Sequence, residues 1–174
     1  WVRLITCAHI FKCESIVRCF PVVIVSFFTA IHSCGSLASP PSCWERASAR
    51  YHVDPTELVA HACVESHLRT DAIHVNANGT EDLSVMQINS GNLPRLARYG
   101  ITRSALTGDP CLNIHVGAYI LAEQKARYGD TWEATGAYNA ACTKLKSNEC
   151  KQVRAAYAWR VYRAMRNLHT TGHC

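Results

Sequence analysis

Within the stretch Leu58–Leu68, LVAHACVESHL, one acidic residue stands among apolar neighbours. Placed at 100° per residue, Leu58, Val59, Ala60, Ala62, Cys63, Val64 and Leu68 fall on most sides of a helix. A helix that is apolar nearly all round is a buried one. Glu65 follows His61 by one turn and Leu58 by two, which puts it on the Leu58–Ala62 side. Burial disfavours the charged form of a carboxyl group and raises its pKa above the reference value of about 4.3. An acid still protonated near neutral pH can protonate a leaving group. The helix alone leaves two readings open: Glu65 is a general acid, or it is paired structurally with Arg69 or His61.

His61, Cys63, Glu65, His67 and His74 also raise the question of a metal. His61 and Glu65 lie on a different helix face from Cys63 and His67, and the chain contains no C-x2-C pair. No metal and no cofactor are expected.

The elements that must position Glu65 are mostly helical. Ser42-Cys43-Trp44-Glu45 is a capping-box pattern opening a helix to about Arg50. Asp54-Pro55-Thr56-Glu57 starts the Glu65 helix, with Asp54 as cap and Pro55 at the first helical position. Thr70–Asp82 is polar and carries the turn pair Asn78-Gly79, and Leu83–Asn89 reads as a short strand or the lip of a hairpin. Ser90–Tyr99 reads as a helix closed by Gly100. Asp109-Pro110 starts a longer one with Leu112, Val116, Tyr119 and Ile120 on its core face and Gly129 as its stop. Thr131–Asn139 is a further short helix. The last helix, about Lys151–Leu168, carries an apolar stripe of Val153, Tyr157, Val161, Ala164 and Leu168. The expected fold is mainly α, one compact helical domain with a single small β or irregular element.

Length and composition agree with one domain: 174 residues and 48% hydrophobic content are enough for one real core. Residues 1–38 read as a leader and 39–174 as the domain. Arg18 supplies a positive n-region, Phe20–Ile31 an apolar h-region, and Ser36-Leu37-Ala38 small residues for cleavage before Ser39. The apolar run is short for a transmembrane helix, which needs about 20 residues. Retention of the leader as an anchor, or a lipid on Cys34 in the weak lipobox Ile31-His32-Ser33-Cys34, are the alternatives. The first methionine is Met86, so a start at a non-Met codon such as that of Val17 is expected. The domain is thus expected to be exported, and its only membrane attachment would be an uncleaved or lipidated leader.

Six of the ten cysteines lie after the leader: Cys43, Cys63, Cys111, Cys142, Cys150 and Cys174. In an exported domain they suggest disulfides, with 15 possible pairings. The basic excess lies late, with seven Lys/Arg against Glu149 alone between Lys144 and Arg166. Such a stretch is usually a solvated helix face and also suits an anionic polymer such as a cell-wall glycan. A basic helix face of this kind is not by itself a nucleic-acid site, and no nucleic acid is expected as partner.

Three motifs occur in order: Glu65-Ser66, Met86-Gln87-Ile88-Asn89 and Ala137-Tyr138-Asn139-Ala140. With Cys43-Trp44, Asn76-x-Asn78-Gly79-Thr80-x-Asp82 and Asp109-Pro110-Cys111-x-Asn113-Ile114, they resemble the lysozyme-like SLT lytic transglycosylases. The set is most similar to the small secreted enzymes that accompany type III and type IV secretion, conjugation and pilus systems. The resemblance covers about Cys43 to Tyr162. It implies a lysozyme-like α+β fold whose small β element flanks the active-site cleft. It also implies cleavage of the β-1,4 bond between N-acetylmuramic acid and N-acetylglucosamine in peptidoglycan, with Glu65 as the single acid/base. The muramyl C6 hydroxyl then closes on C1 to give a 1,6-anhydro sugar. This explains the lack of a second convincing carboxylate, since most glycosidases use two, roughly 5–9.5 Å apart. Asp82 and Asp71 are the fallback partners in a hydrolase.

The resemblance further assigns Ser66, Gln87, Asn89, Tyr138, Asn139 and Tyr157 to substrate binding. Core packing is the alternative for Tyr138 and Tyr157, a satisfied buried amide for Gln87 and Asn89, and a bond to its own backbone for Ser66. It implies a Cys43–Cys111 disulfide because both cysteines sit in matched motifs. Cys142–Cys150 is a second pair closing a short loop, Cys63 is expected as a buried thiol, and Cys174 is unassigned. The chain departs from the family at Ser84-Val85, where Gly-Leu is usual, so Ser84 is expected to be strained if that position takes a positive φ. Peptidoglycan strands and components of a secretion or conjugation complex are the implied partners, for a monomer in the periplasm. The competing functions are a goose-type lysozyme-like hydrolase and an inactive glycan-binding scaffold.

Overall fold

The Ser42 hydroxyl accepts from Glu45 N–H, and the Glu45 carboxylate accepts from Ser42 N–H at 2.6 Å. This reciprocal cap starts α1 (Cys43–Tyr51), and Asp54 caps α2 (Pro55–Ser66) through Glu57 N–H. The structure is a computed structural model that describes residues 41–142 and 145–174. The leader and Cys34 lie outside the described residues.

After α2 come three short antiparallel strands, β1 (Ile73–Val75), β2 (Glu81–Leu83) and β3 (Ile88–Asn89), in the order β1-β2-β3. The register pairs His74 with Asp82 and Asp82 with Asn89. Then follow α3 (Leu93–Leu96), α4 (Arg103–Gly108), α5 (Pro110–Tyr128), α6 (Trp132–Asn139) and α7 (Ser147–Thr171). Among the described residues no helix is long and apolar enough to cross a membrane.

α2 is apolar on nearly every side because it is packed on both. Leu58 and Ala62 enter one core with Leu83, Met86, Ile88, Leu106, Val116 and Leu121. Ala60 and Cys63 enter a second core with Tyr157, Val161 and Ala164. α7 runs along α2 and α6, and α5 packs on α1 and α6. The α6–α7 crossing is close enough to require glycine: a Cβ on Gly136 would lie 2.5 Å from the Arg154 carbonyl oxygen.

Several local expectations are corrected. Ser90–Tyr99 is not one helix but two 3-10 turns, Ser90–Asn92 and Ala97–Tyr99, around α3. Pro94 explains the break, since it has no N–H for the Ser90 carbonyl. β1 falls in the polar stretch read for its Asn78-Gly79 turn, and α4 in a stretch with no element expected. α7 begins at Ser147, where the Glu149 carboxylate accepts from Lys146 N–H at 3.2 Å, and runs on to Thr171. Val153, placed on the apolar stripe, is 40% exposed.

Cys43–Cys111 and Cys142–Cys150 are disulfides, the second joining the loop before α7 to that helix's first turn. Cys63 is not a thiol. It is bonded to Cys174, with Cα atoms 5.5 Å apart, because α7 continues past Leu168 and brings the C-terminus back against α2.

Candidate active site

Glu65 lies in the last turn of α2, before His67 and Leu68 end the helix with φ of 56° and 63°. Its side chain is half-buried at the floor of a cleft of about 800 Å³. One wall comes from the sheet, with Asn76, Asn78, Thr80, Asp82, Gln87 and Asn89. The other comes from α5 and α6, with Gln124, Arg127, Tyr138 and Asn139.

The structural partner of Glu65 is neither Arg69 nor His61. The Tyr157 hydroxyl, from α7, is hydrogen-bonded to Glu65 Oε1 at 2.5 Å. Burial pushes the Glu65 pKa up to about 7. The Tyr157 hydrogen bond and the Arg160 charge pull it down, while the Asp82 charge adds to the rise. The result is an acid that holds its proton to neutral pH and then gives it up, the range useful for both halves of an acid/base cycle.

The sheet wall is built around Asp82. Its Oδ2 accepts from Asn76 Nδ2 at 2.9 Å, and its Oδ1 accepts from Asn89 Nδ2 at 2.7 Å. Both amides also reach the Thr80 hydroxyl, at 3.2 and 3.0 Å. The Asn89 side-chain oxygen, Oδ1, accepts from Gly91 N–H at 2.9 Å. Asn89 therefore has both ends of its amide bound within the hairpin, though it lines the cleft.

The β2–β3 loop is held from every side. Ser84 and Gln87 have φ of 61° and 47°. An L-residue in this region costs roughly 1–2 kcal/mol, which meets the expectation of strain at Ser84. Two bonds offset it: Ser84 N–H donates to the Ala72 carbonyl and Ser84 Oγ to the Thr70 carbonyl, both at 2.7 Å. Ser66 Oγ donates to Val85 O at 2.8 Å, and Tyr138 Oη donates to Met86 O at 2.9 Å. Asn113, fully buried on α5, accepts from Met86 N–H at 2.8 Å and donates to Leu83 O at 2.9 Å.

The structure thus brings Glu65, Gln87, Asn89, Tyr138 and Asn139 together on one cleft. Gln87 spends its Nε2 on the Ser84 and Ala72 carbonyls, at 2.8 and 3.2 Å. Asn139 is exposed and Tyr138 half-buried. Ser66 and Tyr157 are 3% and 1% exposed and do not line the cleft: one fastens the loop, the other holds the acid. Sequence reasoning left Asn113, Glu57 and Lys125 without a site role. A polar residue among apolar helix positions was the available signal for Asn113. Among the described residues there is no group of three His, Cys, Asp or Glu side chains placed to hold a metal ion.

A Glu with a raised pKa, in a cleft lined by amide and hydroxyl side chains, agrees with the motif order of the sequence. Residues 42–159 match the family described as the transglycosylase SLT domain. The chain belongs to the SLT transglycosylase family. Membership makes this a peptidoglycan lytic transglycosylase domain. The chain is 45% identical over 121 residues to an X polypeptide of Escherichia coli, covering 70% of each chain. It is 38% identical over 126 residues to invasion protein IagB of Salmonella typhimurium, covering 72% of this chain and 78% of that one. Protein IpgF of Shigella flexneri is 40% identical over 121 residues, with 70% and 77% covered. Among solved structures, an inactive mutant of lytic transglycosylase Slt from Pseudomonas aeruginosa superposes with a TM-score of 0.54 at 17% identity. That match covers 71% of this chain and 22% of the Slt chain, and it bears out the mainly helical, lysozyme-like fold.

Proposed function

We propose that Glu65 is the single acid/base of this SLT domain and that its product is a 1,6-anhydromuramyl end. As acid, Glu65 passes its proton to the oxygen of the β-1,4 bond between N-acetylmuramic acid and N-acetylglucosamine, and the C1–O bond breaks. As base, it takes the proton of the muramyl C6 hydroxyl as O6 bonds to C1. No water is consumed, and Glu65 ends protonated as it began.

The observation that carries this reading is the contrast between the two cleft carboxylates. Glu65 is half-buried and titrates at about 7. Both Asp82 oxygens are engaged by Asn76 and Asn89, so Asp82 suits the framing of the wall better than attack on a sugar or activation of water. Gln87, Tyr138 and Asn139 line the same cleft and are assigned here to the sugar amides and hydroxyls. A goose-type hydrolase remains the second reading, because the Asp82 charge is felt at Glu65.

The test is mass spectrometry of fragments released from peptidoglycan by the wild type and by Glu65→Gln. Products one water lighter than hydrolysed ones, absent with the variant, are expected. Reducing-end products would give the reaction to a lysozyme with Asp82 as second carboxylate. No release by folded wild type would favour a binding scaffold. The basic outer face of α7 supports an anionic wall polymer as partner. A relative named an invasion protein supports local wall opening for a secretion or conjugation apparatus. Export to the periplasm through residues 1–38 and a monomeric state complete the proposal.

A further inference from the structure

The acid rests on a second buried polar group that the reaction above does not use. His61, one turn before Glu65, has no exposed surface. Its Nδ1 lies 2.9 Å from the Tyr157 hydroxyl, the same hydroxyl that meets Glu65 Oε1 at 2.5 Å. Among the described residues its Nε2 has no hydrogen-bond partner, and it lies 3.9 Å from Glu57 Oε1. Glu57 is buried too, with Lys125 Nζ 2.7 Å from Oε2 and the Thr135 hydroxyl 2.9 Å from Oε1. The Tyr138 and Tyr157 rings pack on the imidazole, with centroids 4.7 and 5.6 Å away. Burial, then the Lys125 charge, holds the His61 pKa down at about 3. The imidazole is therefore neutral and carries one N–H.

Tyr157 also has one proton, so it can donate to Glu65 or to His61 but not to both. If it donates to Glu65, Nδ1 must carry the imidazole proton, and the bare Nε2 lone pair is left against the Glu57 carboxylate. If the imidazole proton sits on Nε2, towards Glu57, then Nδ1 accepts from Tyr157 and the Tyr157 oxygen accepts from protonated Glu65. Only the second arrangement turns the imidazole N–H towards the carboxylate beside it.

We propose that His61 is a positioning residue for the acid: its Nε2–H faces Glu57, its Nδ1 takes the Tyr157 proton, and the Tyr157 oxygen holds the proton of Glu65. When Glu65 gives up its proton, the Tyr157 hydroxyl turns to the new carboxylate and Nδ1 loses its donor. His61 and Glu57 thus favour the protonated acid. The other groups facing Glu65 are Arg160 from α7, which favours the carboxylate, and Asp82 from β2 and Tyr138 from α6, which do not. Those facing His61 are Glu57, Lys125, Tyr138 and Tyr157.

The inference rests on Glu65 being the acid, and its first test needs no activity. Nitrogen-15 NMR of histidine-labelled full chain should show His61 neutral with its proton on Nε2 below about pH 7. A proton on Nδ1 there would overturn the proposal, whether or not any variant folds. The second test follows the carboxyl titration of Glu65 by carbon-13 NMR and the alkaline limb of kcat. His61→Leu should move both towards acid by about one pH unit, a tenfold loss on the alkaline side, with KM unchanged. His61→Asn, whose amide oxygen can take the place of Nδ1, should restore them. A limb that stays put or moves towards alkali with His61→Leu would refute the assignment. An active Glu65→Gln would instead remove the acid role while leaving the tautomer readout intact.

Discussion

Replacing Glu65 by glutamine should stabilise the protein in the same step that inactivates it. In the folded chain Glu65 titrates at about 7, against 4.5 for the free side chain. Below that lower value the acid is protonated in both folded and unfolded chains and contributes nothing to pH dependence. Between the two values the unfolded chain loses the proton and the folded chain keeps it. The folded state then binds more protons, so stability falls as pH rises and the loss is complete above the folded pKa. At about 1.4 kcal/mol per pH unit, the interval amounts to about 3 kcal/mol. Glutamine cannot ionise, and its amide can keep a hydrogen bond to the Tyr157 hydroxyl in place of the carboxyl group. The assay is urea unfolding of both proteins, disulfides intact, between about pH 4 and pH 8. The two stability curves should meet at the acid end and separate by about 3 kcal/mol at the neutral end. A separation that does not grow with pH would refute a buried acid with a raised pKa.

Three further outcomes are expected. Tyr157→Phe removes the donor to ionised Glu65, so the Glu65 titration should move towards alkali and lysis should fall. It also strands His61 Nδ1, and denaturation should register a loss of about 1–3 kcal/mol. Gly136→Ala puts a Cβ 2.5 Å from the Arg154 carbonyl oxygen and 2.6 Å from its Cβ. Overpacking of this kind costs about 1–3 kcal/mol, so a melting temperature equal to wild type would contradict the close α6–α7 crossing. Cys63→Ala with Cys174→Ala should cost about 2–4 kcal/mol, and non-reducing peptide mapping of wild type should recover Cys63 and Cys174 in one fragment.

Features set within a few residues were legible in the sequence. The caps at Ser42 and Asp54 bind N–H groups three residues on, so the starts of α1 and α2 needed no tertiary information. The turn at Asn78-Gly79 and the stops at Gly100 and Gly129 are equally local. Glu65 stood out because a carboxylate on a helix apolar all round demands a reason. The ordered motifs supplied the cleft residues Gln87, Tyr138 and Asn139, and the matched cysteines supplied Cys43–Cys111.

Tertiary structure decided which partner each polar group takes. Glu65 had Arg69 and His61 within reach along its own helix, yet its bond is to Tyr157, 92 residues later. For Ser66 and Asn89 the sequence left substrate and an internal bond both open, and the Val85 carbonyl and Asp82 take their side chains. Cys63 looked like a core thiol until α7 ran past Leu168 and returned Cys174 to it. His61 changes from a helix neighbour into a support for the acid only when Tyr157 and Glu57 meet its two nitrogens. The physical reason is common to all four. Caps and turns are fixed by bonds the chain makes to itself within a turn, whereas a buried polar group must find whatever donor or acceptor packing brings to it. Sequence placed the acid, and the packing of α7 on α2 determined its proton.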